Sequence, residues 1–308
     1  MRILYGNGSH SRIDITKHFQ KCDPIYIPAG DHKRAALFSD PCPGISKLIW
    51  IEDDYSNWRQ YKETLAIMFF KDSNCKLNIL SHENIERLHT LNHSRIQLEL
   101  LQNNLHLIVG SLDDEYSEQL MSVMFIDPEA TVLELGGNIG RNSCVIGRII
   151  NDSRRMVVME SDENIIPYIT HNRDFNNLHF NVEDKALSKR KLAQNKWDTL
   201  PIDKIQDADL DGWKEIKTIC WKDLLQKYDN LKFDTLVLDC EGAIYYILID
   251  EPTFLDQFKL IIIENDFKTE DQSKYVLDHF QSKGFHVVYS EPGGWGPCAQ
   301  RFYEVWKR

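Results

Sequence analysis

The sequence predicts an α/β chain: a Rossmann-like, largely parallel sheet with helices on both faces, preceded by a smaller β-rich module. Three observations predict it. From about residue 125 onward, short aliphatic and β-branched runs alternate with helical patterns, the mark of strand–helix–strand units. The first run breaks into the glycine turn of "VLELGGNIGR" (132–141), as expected where a strand's carboxyl end meets a ligand. Residues 1–75 lack this alternation and are cut by Gly, Pro and Asp.

Within 1–75, "RILYG", "IYIPAG" and "KLIWIED" are strand-like pieces of a small β-rich module. Residues 76–110 are expected to be a helical connector. In it, Ser81 of "SHENIERLHTL" can cap a helix over 81–105 with acids in its first turn. The domain of 111–308 carries the alternation. Its strand-like runs are Thr131–Leu135, Met156–Met159, His179–Val182, Thr235–Leu238, Leu260–Ile263, Phe285–Tyr289 and Phe302–Trp306. Asp162 can cap "ENIIPYITHNRDF", where Pro167 is expected to kink the helix. "TEDQSKYVLDHFQSKG" reads as a helix with an acidic first turn and Gly284 just past its end. "SEPGGWGPCAQ" carries no helical pattern, so the last run should return antiparallel, as a hairpin.

Composition excludes several function classes. The 308 residues are 42% hydrophobic and 27% charged, with a net charge of −11. An acidic chain is a poor partner for nucleic-acid backbones. No apolar run approaches the roughly 18 residues of a membrane span. The seven cysteines stand singly, with no C-x-x-C pair, so structural zinc is not expected. Dispersed thiols and an N-terminus without an apolar signal core fit a cytoplasmic protein.

The glycine turn discriminates between ligands. A dinucleotide fingerprint is G-x-G-x-x-G, which brings a pyrophosphate to a helix N-terminus. In Gly136-Gly137-Asn138-Ile139-Gly140 the middle glycine is Asn138, and the last comes two residues later, not three. Glu134, at the strand's end, would also repel a pyrophosphate. S-adenosylmethionine has no phosphate; it carries a ribose diol, an amino-acid tail and a sulfonium cation. Glu134 suits the tail's ammonium. Glu160, ending "MVVME" 20 residues after Gly140, suits the ribose hydroxyls. Asp184, in "NVEDKALS", suits the adenine amino group.

"VLELGGNIGRNS", "VVMESDEN", "EDKALS", "TLVLDCEGAIYYIL" and "LIIIEND" occur in order over roughly residues 115–290. In these segments the sequence resembles the FkbM family of S-adenosylmethionine-dependent methyltransferases. The family's first strand usually ends in Asp and continues Gly-Ala-Asn-x-Gly; here Glu134 and Gly137 depart from that pattern. The family's D-x-E-G is Asp239-Cys240-Glu241-Gly242. The resemblance implies a seven-stranded methyltransferase sheet and methyl transfer to a hydroxyl oxygen, often on sugars or polyketide-like molecules. It places cofactor binding on Glu134, Gly136, Asn138, Gly140, Glu160, Ser161, Asp184 and Ala186. Tyr116 and Glu118, in the lead-in "DDEYSEQL", are expected to touch the methionyl tail.

A sugar hydroxyl is a weak acid, so its methylation calls for a general base or a metal. Asp239 or Glu241 is the expected base, with Glu264 assisting; alternatively Glu241 only caps a helix and Asp239 only finishes a strand. A related group, the macrocin-type sugar methyltransferases, binds magnesium through carboxylates at corresponding strand ends. By that likeness Asp239, Glu264 and Asp266 would supply oxygen ligands. Trp197 and Trp213 lie in a polar interruption (195–216) and Trp295 in a second loop (291–301). Aromatic platforms beside carboxylates suit stacking on sugar faces, so these three are candidate contacts to a small-molecule or glycan acceptor. Homo-oligomerisation is left open. The rival functions are a non-catalytic cofactor-binding or assembly protein, and a nicotinamide-dependent oxidoreductase.

Overall fold

The computed structural model describes residues 2–8, 11–19, 25–52, 56–71, 77–80, 82–205, 211–294 and 296–308. Two compact units divide the chain, Met1–His93 and Ser94–Arg308.

The first unit holds strands β1 (Arg2–Asn7), β2 (Ser11–Asp14) and β3 (Ile25–Ile27), helix α1 (Asp31–Phe38), and strands β4 (Leu48–Glu52), β5 (Trp58–Tyr61), β6 (Ile67–Lys71) and β7 (Leu77–Leu80). They form a four-stranded sheet, β2-β1-β4-β5, and a three-stranded one, β3-β6-β7, antiparallel throughout. Alternate residues turn inward as the pleat requires: Ile3 and Tyr5, Ile25 and Ile27, and Ile49 and Ile51 share a core with Phe38. Strand β7 falls in the stretch read as a helical connector, and helix α2 (His82–Gln102) begins only after it. The expected cap Ser81 lies outside the described residues.

The second unit continues with α3 (Tyr116–Phe125), β8 (Val132–Leu135), α4 (Arg141–Ile149), β9 (Met156–Met159), α5 (Ile166–Phe175), β10 (Asn181–Glu183), β11 (Ala186–Leu187), β12 (Leu192–Asn195), β13 (Asp198–Pro201), β14 (Lys214–Ile216) and β15 (Thr218–Ile219). After these come α6 (Trp221–Lys227), β16 (Thr235–Leu238), α7 (Ile244–Asp250), β17 (Leu260–Glu264), α8 (Glu270–Ser282), β18 (His286–Glu291) and β19 (Tyr303–Lys307). Seven of these strands form one sheet, ordered β10-β9-β8-β16-β17-β19-β18. The first five run parallel. β19 enters antiparallel between β17 and β18, as the missing crossover helix requires. The parallel core strands β8, β9 and β16 are buried at every position, as expected of strands covered on both faces.

Register positions the site. Leu135 pairs with Met159 and with Leu238, and Leu238 with Ile263. The next residues along these strands are therefore neighbours in one row: Gly136, Glu160, Asp239 and Glu264. The chain reverses its winding between β8 and β16, the switch point where open α/β sheets bind ligands.

Two local expectations change. Pro167 sits in the first turn of α5, where its missing N–H costs nothing, so it starts the helix and does not kink it. The polar stretch 195–216 contributes to an antiparallel sheet, β13-β12-β14, whose hairpin turns at Lys196 with φ 56°.

Candidate functional site

Above the row of strand ends lies an open cleft of about 820 Å³. Leu135, Gly136 and Asn138 line it from the glycine turn, Met159, Glu160 and Ser161 from the end of β9, and Lys185, Ala186 and Leu187 from beyond β10. Gln194, Trp197 and Thr199 of the β12–β13 hairpin and Asp239, Cys240 and Glu241 after β16 complete the wall. A smaller, more enclosed pocket shares Gly136 and Asp239 with the cleft. It is lined by five carboxyl groups: Glu115, Glu118, Glu134, Asp239 and Glu264.

The glycines answer to packing more than to ligand approach. Gly136 has φ 90°, and a Cβ there would stand 1.6 Å from the Asp239 carbonyl oxygen. The turn can therefore lie against the neighbouring strand end only with glycine. At Gly140, also at φ 90°, a Cβ would meet Ile169 Cγ1 at 2.9 Å. Gly137, where the resembling family has Ala, is constrained by a side chain: its Cβ would reach Val158 Cγ1 at 2.2 Å. The departure from the family pattern is thus matched to Val158.

The acids after β8 and β9 are tied down. Glu134 is buried at 2% exposure and accepts the Ser143 hydroxyl at 2.5 Å. Burial pushes its carboxyl up to about 8, with the charges of Glu115 and Glu160 adding to the shift. Glu160 accepts the backbone N–H of Asn138 and of Asp162, each at 2.8 Å. Burial raises its carboxyl against these bonds. Asn138 has φ 46°, a conformation Asn tolerates, and its amide donates to Glu115 at 3.4 Å. Ser161 donates to Gln194 at 3.5 Å.

The other half is built differently. Asp239 and Glu241 form no side-chain hydrogen bond or ion pair with a described residue. Burial first, then the charges of Glu115, Glu118, Asp266 and Glu241, raise Asp239 well above the carboxylate range. Burial and Asp198 raise Glu241, against the pull of Lys268. Burial, a hydrogen bond with Glu118 and surrounding charges push Glu264 up to about 11. Carboxyl oxygens of Glu118, Asp239 and Glu264 lie within 4.8 Å of one another. Three such groups cannot all ionise together without a cation.

Several expected site residues are placed elsewhere. Asp184, the expected adenine partner, pairs with Lys217 at 2.6 Å and is 46% exposed; it does not line the cleft, whereas Lys185 and Ala186 do. Tyr116 is 40% exposed at the start of α3 and lines neither cavity. Glu118 joins the carboxyl chamber, with Oε2 buried and unpartnered among the described residues. Asp266, the third expected magnesium ligand, is absent from the three-carboxyl cluster. It turns to backbone N–H groups of Glu241 and Gly242, and burial pushes it up to about 7. Trp197 lines the cleft at 64% exposure. Trp213 does not line it, and Trp295 lies outside the described residues. Glu241 does not cap α7, whose N-cap is Ala243.

Glu115 joins the site unforeseen. It has φ 57° just before α3 and pairs with Arg141 at 2.7 Å. Its distance in sequence from Glu134 and Asp239 hides it from motif spacing; its ion pair with Arg141, at the start of α4, holds it there.

No family model and no curated protein matches this chain. Among solved structures it is similar to a ribosomal protein L11 methylase from Lactobacillus delbrueckii subsp. bulgaricus. The identity is 10% and the TM-score 0.40, over 66% of this chain and 81% of that one. It is also similar to an O-methyltransferase from Bacillus cereus in complex with S-adenosylhomocysteine, at 14% and 0.37 over 71% and 91%. A third is the O-methyltransferase TomG from Streptomyces achromogenes, in complex with S-adenosylmethionine, at 12% and 0.37 over 71% and 88%. At such low scores these likenesses carry no weight for activity. Among the described residues, no helix is long and apolar enough to cross a membrane.

Proposed function

We propose that this chain is an S-adenosylmethionine-dependent O-methyltransferase of the FkbM kind, acting on a hydroxyl of a neutral small molecule, a sugar or glycan. The charge of the cleft carries the proposal. Glu160, Asp162 and Glu241 line it, with Asp239 as a further acid held protonated by burial, against a single cation among the described residues, Lys185, itself paired with Glu183 at 3.1 Å. Such a wall attracts a sulfonium and an ammonium, and it repels a pyrophosphate. Met159, Ile165, Ala186, Leu187 and Ile247 supply an apolar face for a base.

When bound, S-adenosylmethionine supplies an electrophilic methyl group on a sulfonium. The chain's own residues bind, orient and deprotonate. Glu160 stands at the end of β9, where its remaining lone pairs can accept ribose hydroxyls. Glu241 is the general base: it lines the cleft, lacks a partner, and is fixed by a backbone at φ 51°. Left-handed backbone at a non-glycine residue is strain of the kind that clusters at active sites. With the cofactor bound, Glu241 would take the acceptor's O–H proton as the methyl group is transferred to the acceptor oxygen. Glu264, held protonated, serves as a hydrogen-bond donor and not as a base. Asp239 orients the acceptor between them, and Trp197 offers a stacking face.

A second reading rests on Glu118, Asp239 and Glu264, whose carboxyl oxygens lie within 4.8 Å of one another. These three would hold a magnesium ion, whose charge would acidify the acceptor hydroxyl. Full activity in excess chelator would remove that reading.

Calorimetry tests the cofactor. S-adenosylmethionine and S-adenosylhomocysteine should bind, and nicotinamide cofactors should not; binding of the nicotinamides alone would sink the proposal. Transfer of labelled methyl across a panel of neutral glycosides tests the acceptor.

A further inference from the structure

We infer that Tyr303 is an acceptor-binding residue: its phenol extends the row of strand ends past Glu264 and hydrogen-bonds a second hydroxyl of the acceptor, beside the one that is methylated. This rests on the proposed acceptor site at Asp239, Glu241 and Glu264.

The register of the sheet places the phenol. Glu264 pairs with Tyr303 across β17 and β19, and Tyr303 pairs with Glu291 across β19 and β18. Residues directly opposite on antiparallel strands project to one face, with Cβ atoms about 5 Å apart. The row of Gly136, Glu160, Asp239 and Glu264 therefore continues into Tyr303. Helix α3 packs over β17 and β19, and Glu118 in its first turn reaches Glu264 and Asp239.

The direction of the acceptor follows from the two ends of the row. Glu160 and the apolar face of Met159, Ala186 and Leu187 lie toward β10. The unpartnered acids lie toward β17. An acceptor that meets the cofactor across those acids stands on the β19 side. The cavity linings end at Glu264, and Tyr303 is the next polar group beyond it in the row. Glu241 and Tyr303 belong to β16 and β19, two strand spacings or about 9–10 Å apart. That spacing suits two oxygens of one polyol rather than one shared oxygen.

The phenol is kept available for such a contact. No hydrogen bond to a described residue occupies its hydroxyl. Burial, with Glu118, Glu264, Asp239 and Glu291 around it, raises it above the ordinary phenol range, so it stays a proton donor. The β18–β19 loop is shaped to the ring. A Cβ at Gly293 would stand 2.5 Å from Tyr303 Cε2 and 3.4 Å from Cζ, so glycine lets the backbone lie beside the hydroxyl end of the ring.

Tyr303→Phe in the full chain tests this, because it removes the hydroxyl and keeps the ring. The probes are trans-1,2-cyclohexanediol, with two adjacent hydroxyls, and cyclohexanol, with one. Each is titrated into chain saturated with S-adenosylhomocysteine and carrying carbon-13 in its tyrosine rings. The Tyr303 signal, assigned by its loss in the variant, should shift with the diol. Diol affinity, read by saturation transfer to the probe, should fall about two- to tenfold in Tyr303→Phe, the scale of one neutral hydrogen bond. Cyclohexanol affinity should not change. A merely structural tyrosine would weaken both probes alike. Equal losses for the two probes, an unchanged diol affinity, or a Tyr303 signal that neither probe moves overturns the assignment. If S-adenosylhomocysteine does not bind the parent chain, the cofactor proposal fails, and the same titrations of the ligand-free chain still decide for or against Tyr303.

Discussion

The two halves of the row of strand ends carry the same chemical group and treat it in opposite ways. After β8 and β9, Glu134 and Glu160 are satisfied by the Ser143 hydroxyl and by the N–H groups of Asn138 and Asp162. After β16 and β17, Asp239 and Glu241 have no donor among the described residues, and Glu264 finds only another acid, Glu118. A satisfied carboxylate fixes the backbone around it, as Glu160 fixes the turn at Asn138. An unsatisfied one stores a cost that only a ligand, a proton or a cation can relieve. In the proposed function the first half is the holder and the second hosts the chemistry.

The contrast breaks if the unsatisfied acids prove inert. Glu241→Gln should lower methyl transfer by about a hundred- to ten-thousand-fold, with S-adenosylhomocysteine affinity nearly unchanged by calorimetry. Glu160→Gln should do the reverse, weakening S-adenosylhomocysteine binding by about tenfold or more, the scale of one charge-assisted hydrogen bond. Equal effects of the two variants on both measurements would erase the difference between the halves.

A backbone change sharpens the holder half. Gly136→Ala drives a Cβ to 1.6 Å from the Asp239 carbonyl oxygen, at φ 90°. It should cost about 3–5 kcal/mol in urea denaturation, overpacking and left-handed strain together. Gly137→Ala meets a side chain instead, Val158 Cγ1 at 2.2 Å, which can shift; about 1–3 kcal/mol is expected. Pairing Gly137→Ala with Val158→Ala should recover part of that loss. A Gly137→Ala chain as stable as the parent would show that Val158 yields freely.

Titration reports on one buried carboxyl from each half. Glu134 and Asp266 are carboxyls raised in the folded chain, to about 8 and about 7. Each binds its proton more tightly folded than unfolded. Their stabilisation is therefore complete below the ordinary carboxylate range and is lost as pH rises through about 7 and then about 8. Urea midpoints should fall between about pH 5 and about pH 9, by an amount on the order of a few kcal/mol. Glu134→Gln should flatten the upper part of that decline and Asp266→Asn the lower. A midpoint independent of pH would mean that both groups titrate normally.

The fold was largely legible because its signals are local. β9 and β16 have the bounds that their apolar runs imply, and α8 begins after Thr269, whose hydroxyl accepts the Gln272 N–H. The β12–β13 hairpin was not legible: its turn residue, Lys196, has no side-chain preference for positive φ. The site was legible where one residue ends one strand, as with Glu160 and Asp239. It was obscure where side-chain direction decides. Asp239, Glu264 and Asp266 look alike in sequence, yet Asp266 folds back onto the backbone of Glu241 and Gly242. Its place in the carboxyl cluster is taken by Glu118, from a helix before the first sheet strand.

The smallest effect is expected at Asp184, and it discriminates best between sequence pattern and geometry. By position alone, one strand beyond Glu160, Asp184 should grip the adenine amino group, and its loss should cost a hydrogen bond. Glu183 pairs with Met159, so Asp184 does stand beside Glu160 in the row. Its side chain nevertheless leaves the row to meet Lys217, and the cleft is closed there by Lys185, Ala186 and Leu187. An exposed ion pair of this kind contributes about 0–1 kcal/mol. Asp184→Asn should therefore change S-adenosylhomocysteine affinity by less than about twofold and stability by about 0.5 kcal/mol or less. A tenfold loss of affinity would mean that the carboxylate swings from Lys217 into the cleft when ligand arrives. The holder half would then have a third acid, one left unsatisfied until the cofactor binds, and the division between the two halves would no longer follow the strands.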